Sequence, residues 1–167
     1  MSPKSLFAIL LLLLLVCLPL GCRFLQNDKR LVKRQLTEIC QDVSKEPDEG
    51  NTTAALKMLS LGNRLGNSIE IQVHGIPLGG VLSGEELMAQ VNRARLQLDR
   101  IHVQLLDDVI TVQGNEADID CVLRVKAASA RHNYKMEDDF HLQILLKKNE
   151  DGKWLFQAFK EGPLLQK

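Results

Sequence analysis

The chain predicts an α+β domain in which three helices come early and a run of strands closes the sequence. Three observations carry this expectation. Apolar residues recur at three- and four-residue spacings up to about residue 98. From residue 100 onward they alternate with polar ones, with a break in phase at 105–108. Between the two regimes stands Ser83-Gly-Glu-Glu86, a capping box that marks where the last helix opens. Helical periodicity followed by strand alternation gives segregated layers, not a repeating βαβ order.

The first segment is read apart from this domain. Lys4 precedes an unbroken apolar run from Leu6 to Leu20, which ends at Gly21-Cys22. The run is 15 residues long, short of the roughly 20 that a membrane-spanning helix needs. A positive residue, a short apolar stretch and a small residue before cysteine resemble a bacterial lipoprotein signal, with Pro19 three residues before the cysteine where Leu is usual. That resemblance implies residues 1–21 as a cleaved signal, Cys22 as the lipidated first residue of a short tether (22–27), and a domain over 28–167. It implies export and attachment to the outer side of the cytoplasmic membrane or to the outer membrane. The alternative is an uncleaved signal anchor.

Composition narrows the partners. The chain has 21 basic and 21 acidic residues, and removing residues 1–21 takes away only Lys4. A neutral balance without a basic stripe, together with an aromatic content of 4 %, argues against nucleic acid. Lys29, Arg30, Lys33 and Arg34 read as a solvated helix face. Cys40 and Cys121 are the cysteines of the domain, and the sequence leaves them either as a disulfide pair or as two small buried thiols.

Element by element, Val32, Leu36, Ile39 and Val43 form one stripe of a helix over about 27–44, with Asp28 suiting its positive end. Pro47 and Gly50 break it. A second helix is expected over about 52–65, with Ala55, Leu56, Met58 and Leu59 inward, Asn51 as its cap and Gly66 as its stop. Ser68–His74 alternates as a strand, and Gly75–Leu82 reads as a turn with at most a very short strand. The third helix runs to about Leu98 with Leu87, Val91, Ala94 and Leu98 inward, the stripe widened by Met88 and Leu96. Arg100–Gln113 alternates with a break in phase at Leu105-Leu-Asp-Asp108, the mark of a bulge. Ala117–Ala127 and Phe140–Lys147 follow, then a turn at Asn149–Gly152 and a last strand carrying Trp154, Phe156 and Ala158.

At three places the order becomes more specific. Ile69-x-Ile71-x-Val73-His74-Gly75 followed by Leu82-Ser83-Gly84 resembles the strand–turn–capped-helix centre of the nuclear transport factor 2-like superfamily. The strand pair Ile101–Val112 and Ala117–Val125 is similar to the sheet that follows it there. Asp151-Gly152-Lys153-Trp154 resembles the hairpin before that family's last strand. The resemblance spans about residues 28–161 and implies a cystatin-like cone, in which three helices pack on a strongly curved antiparallel sheet. It also implies a pocket that takes a small apolar ligand, and a homodimer for which the polar outer sheet face is suited. The family contains ketosteroid isomerases, SnoaL-type cyclases and scytalone dehydratases beside many non-catalytic members, so the fold leaves activity open.

The isomerases of that family place a carboxylate base at the end of the first strand, where this chain has His74 and Gly75. A histidine is able to serve as the base, which makes His74 the candidate catalytic residue. The donor side is not matched: Tyr134 falls in a polar hairpin segment, and Asp118 and Asp120 alternate onto the face opposite the apolar set, with Arg124 and Lys126. His102 and His141 lack close-spaced companions, so no metal is expected, and no cofactor motif is present. The sequence therefore points to a lipid-anchored, exported binding or interaction domain, leaning away from catalysis. The alternative is a small-molecule isomerase, cyclase or dehydratase using His74.

Overall fold

The computed structural model describes residues 27–73 and 79–162. Cys22 and His74 lie outside them. Helix α1 (residues 27–43) forms along the stripe read from its spacing: Val32 and Leu36 are fully buried and Ile39 nearly so. Asp28 in its first turn bonds Lys148 at 2.9 Å, and the same ammonium lies 4.8 Å over the Trp154 ring, tying the helix start to the far end of the sheet.

Helix α2 (Asn51–Gly62) starts without a side-chain cap, its N-cap being Gly50 and not Asn51. Its expected inner face is corrected: Leu56 and Leu59 are each 62 % exposed and Ala55 is exposed, while Leu61 is buried and Met58 partly so. Gly66 is not a helix stop. It lies inside strand β1 (Leu65–Gln72), where an added Cβ would meet Gln157 and stand 3.0 Å from the Phe156 carbonyl oxygen. A glycine is required there by close approach of two strands.

Strand β2 (Gly80–Leu82) is three residues long and leads into helix α3 (Gly84–Gln97). The Ser83 hydroxyl accepts from the Glu86 N–H and the Glu86 carboxylate accepts from the Ser83 N–H at 2.7 Å, so the capping box closes both ways. Leu87, Met88 and Val91 pack on the core. Ala94 and Leu96, expected inward, are exposed, and the buried side chain of the last turn is Arg95.

Arg95 is 3 % exposed. Its Nη1 donates to the carbonyls of Asp42, Val43 and Ser44 at 2.8–2.9 Å, the acceptors that the end of α1 leaves unpaired. Its Nη2 donates to Glu49, which also accepts from Lys57. Lys45 returns the favour by donating to the carbonyls of Arg95 and Leu98 at the end of α3. Each helix thus has its C-terminal carbonyls capped by a cation from the other segment.

Strands β3 (Arg100–Gln113), β4 (Glu116–Ser129), β5 (Tyr134–Lys148) and β6 (Trp154–Glu161) complete one curved six-stranded sheet of order β2-β1-β6-β5-β4-β3. The α+β layout is as expected, and the sheet is mixed because β1 pairs with β6 in parallel, Ile71 opposite Phe159. The bulge anticipated at 105–108 is present as a register shift between Leu105 and Asp107. Gly114 (φ 59°) and Gly152 (φ 76°) occupy left-handed turn positions, and Asn149 Oδ1 accepts from the Lys153 N–H.

The helices cover one side of the sheet. There Ile69 and Ile71, Ile119 and Cys121, Ile144 and Leu146, and Trp154 and Phe156 form a continuous core with α1. The outer edge, β3, is partly plugged. Lys45 exchanges backbone bonds with Ile101 (2.7 and 3.0 Å), Ser44 Oγ accepts from the Val103 N–H, and Asp107 Oδ1 accepts from the Asp108 N–H.

Removing the Arg95 guanidinium takes its donor from the Asp42 and Val43 carbonyls and leaves Lys57 alone to serve the buried Glu49 carboxylate. Arg95→Ala is expected to cost about 3–5 kcal/mol in urea or thermal unfolding. Arg34→Ala, which breaks only an exposed i,i+4 pair with Glu38, is expected to cost about 0.5 kcal/mol or less. Burial works against the Glu49 carboxylate, but the hydrogen bond from Lys57 and the charges of Arg95 and Lys57 outweigh it and hold its pKa below the ordinary 4.5. A carboxylate with a lowered native pKa stabilises the fold above its unfolded pKa and loses that contribution as pH falls. Glu49→Gln should lower stability at pH 7 and flatten the decline seen below about pH 4.5 in unfolding curves recorded across pH.

Candidate functional site

Helices α2 and α3 approach closely at Gly62, where an added Cβ would lie 2.5 Å from Met88 Sδ. A groove of about 650 Å³ lies between them. Met58 and Met88 line it with Ala54, Ala55 and Ala89, and Leu96 (76 % exposed) stands at its open end beside Asn51 and Asn92. Flexible thioethers and small side chains make an adaptable apolar surface. The alternation and helix rules missed this groove because they place every apolar residue of α2 and α3 in the core. The signal was present in the number of apolar residues on α2, which exceeds what one face holds.

Two further clefts open elsewhere. One of about 590 Å³ lies between α1 and β3 and is lined by Thr37, Cys40, His102 and Leu105, with Lys33 paired to Asp108 at 2.8 Å. A smaller one of about 240 Å³ lies at the β4–β5 turn, beside Arg100, Ser129 and Tyr134.

The residues singled out from the sequence do not converge. Tyr134 opens β5 at the rim of the smaller cleft and is exposed. Asp118 and Asp120 lie on the side of the sheet away from the helices, where Gln143 donates to Asp118 at 2.8 Å. Arg124 there makes a two-point pair with Asp139, both bonds 2.8 Å, and Lys126 pairs with Glu137. The hydrogen bond from Arg124 lowers the Asp139 pKa. His102 and His141 sit on strands separated by β4. Among the described residues no three His, Cys, Asp or Glu side chains are placed to hold a metal ion.

Cys40 and Cys121 are both buried and stand as free thiols. Burial pushes Cys40 up to about 11. Burial, and then the neighbouring Cys40, push Cys121 up to about 12. Neither is activated as a nucleophile. No helix among the described residues is long and apolar enough to cross a membrane.

No protein-family model and no curated protein matches this sequence. Solved structures do match. An NTF2-like protein with a cystatin-like fold from Novosphingobium aromaticivorans superposes with a TM-score of 0.63 at 14 % identity, over 89 % of this chain and 90 % of that one. The fold is nuclear transport factor 2-like. A protein named as a candidate dehydratase of the NTF2-like family, from Streptomyces avermitilis, matches with a TM-score of 0.64 at 14 % identity, over 84 % of this chain and 99 % of its own. A candidate scytalone dehydratase from Novosphingobium aromaticivorans matches with a TM-score of 0.62 at 10 % identity, over 85 % and 96 %. At such identities the likeness is one of NTF2-like architecture and carries no activity with it.

Proposed function

We propose that this chain is an exported NTF2-like domain held at the cell envelope by a lipid on Cys22, and that it acts by binding and not by catalysis. The observation that supports this best is the distribution of polar groups. Asp118 and Asp120 of β4 stand on the side of the sheet that the helices leave open, while the covered side is filled by Val32, Leu36 and Ile39 against aliphatic and aromatic residues. Proton abstraction needs a base and an oxyanion donor on one substrate, and these groups are arranged for neither role. The α2–α3 groove supplies an apolar surface of the kind that takes an aliphatic ligand or an apolar side-chain row.

The anchor supports the same reading. Few residues separate Cys22 from α1, and extended chain spans at most ~3.3–3.6 Å per residue, so the domain would ride within about 20 Å of the bilayer. The second reading, an isomerase, cyclase or dehydratase with His74 as base, draws on the candidate-dehydratase names of two structural neighbours.

Mass spectrometry of the protein isolated from membranes tests the address. It should show an N-terminus at Cys22 carrying diacylglyceryl mass, whereas an intact Met1 or an unmodified Cys22 would remove the anchor from the proposal. The groove is tested with Leu96→Asp. Because Leu96 is exposed, stability should change by about 0.5 kcal/mol or less, while binding of an apolar fluorescent dye should fall. Unchanged dye binding would take the groove out of the function.

A further inference from the structure

The cleft at the β4–β5 turn contains a buried group that folding leaves unpaired. Of the residues that line it Ser129 is the buried one, at 2 % exposure, so it forms the floor. Its hydroxyl oxygen is shielded from water and has no hydrogen-bond partner among the described residues. A buried hydroxyl without a partner costs free energy. The strand does not ask for it, because Ala117, Cys121 and Ala127 fill the same face of β4 with apolar side chains.

Cations stand around this floor. Arg100 of β3 and Lys135 of β5 flank Ala128 of β4 in register, about 10 Å apart across three strands. The methyl group between them leaves the gap open. Lys135 has no hydrogen bond or ion pair among the described residues. Arg100 meets Glu46 at 3.8 Å with both side chains more than half exposed, a contact that contributes little. Tyr134, opposite Ser129, lines the cleft with an unpaired phenol. Alternation turns Ser129 and Tyr134 to one face of the sheet and Arg100 and Lys135 to the other. The cleft takes in both sets because it lies where β4 ends. The acid of the lining, Asp99, spends Oδ2 on the Ala130 N–H at 2.5 Å and keeps one oxygen to accept.

We infer that this cleft binds a small soluble phosphate monoester. Its phosphate sits between Arg100 and Lys135, and a hydroxyl on its stem pairs with Ser129 and Asp99. A guanidinium offers two parallel donors to a phosphate, and an ammonium adds a point charge. Two cations match the nearly two negative charges of a monoester at neutral pH, where a monocarboxylate would leave one uncompensated. The cleft of about 240 Å³ is below the ~300 Å³ at which sites for larger ligands begin, so it admits a phosphate with a short stem. The ligand comes from solution and not from a lipid head. Tyr134 and Lys148 are the two ends of β5, and Lys148 holds Asp28 at the start of α1. At ~3.3 Å per residue the cleft lies up to about 45 Å from the point where the chain enters the domain, at the end away from the tether. The site is separate from the α2–α3 groove, and it holds or fails independently of the groove and of the lipid at Cys22.

The test titrates the full chain in mild detergent with glycerol 3-phosphate as probe, by isothermal calorimetry at fixed ionic strength. Binding should saturate with one molecule per chain. Inorganic phosphate, which lacks the stem, and acetate, which lacks the second charge, should bind at least about tenfold more weakly. Arg100→Gln and Lys135→Gln should each weaken the probe at least about fivefold. Both side chains are exposed, so the melting curves of these variants should stay in place. Ser129→Ala should weaken the probe about threefold while the melting temperature holds or rises, whereas loss of a structural hydroxyl would lower it. Four results would each overturn the assignment. They are lack of saturable binding, acetate or inorganic phosphate binding as tightly as the probe, affinity unchanged in Arg100→Gln and Lys135→Gln, and displacement of the probe by phosphatidylglycerol vesicles.

Discussion

The Arg95 guanidinium is the constraint on which the helical layer depends. It gathers the last carbonyls of α1, the Glu49 carboxylate of the following loop and, through Lys45, the end of its own helix into one buried network. From that junction Ser44 and Lys45 reach the β3 backbone, so one end of the helical layer is registered to the sheet by polar contacts. The other end is held by Asp28, Lys148 and Trp154. Between these two points the contact is mainly apolar, with Lys33 paired to Asp108 on β3. A buried ion pair contributes little net stability compared with apolar packing of the same shape. Here it links the end of α1 and the Glu49 loop to the last turn of α3.

Much of this was legible from periodicity. The α1 stripe, the Ser83 capping box, the β3 bulge and the strand alternation of β4–β6 follow from local rules, because each is fixed by neighbours in the chain. What escaped is non-local. Nothing near Arg95 in sequence announces that Asp42, Val43 and Ser44 will lie against it, and a charged residue between Ala94 and Leu96 reads as solvated. Leu56 and Leu59 stand three residues apart like core residues, and only the packing of α2 on its neighbours turns them outward. Gly66 carries the sign of a helix stop, yet its reason is β6 running alongside. The parallel β1–β6 pair joins strands at opposite ends of the domain, beyond the reach of hairpin logic. For the site, alternation placed Asp118 and Asp120 on the outer face correctly, while the groove needed the angle between two helices, which no single helix encodes.

The architecture shared with NTF2-like proteins is a frame whose covered side is able to house chemistry or core. In this chain the described part of that side is occupied by α1, and Asp118 and Asp120 stand on the opposite face.

The stoppered edge of β3 has a consequence for the chain at high concentration. An unpaired outer strand invites another strand to add, and repeated addition builds fibrils. In this chain the backbone of Lys45, the hydroxyl of Ser44 and the carboxylate of Asp107 already occupy edge positions at Ile101, Val103 and Asp108. The bulge beyond Leu105 twists the strand away from a flat template. The β3 edge is therefore a poor template for the addition of another strand.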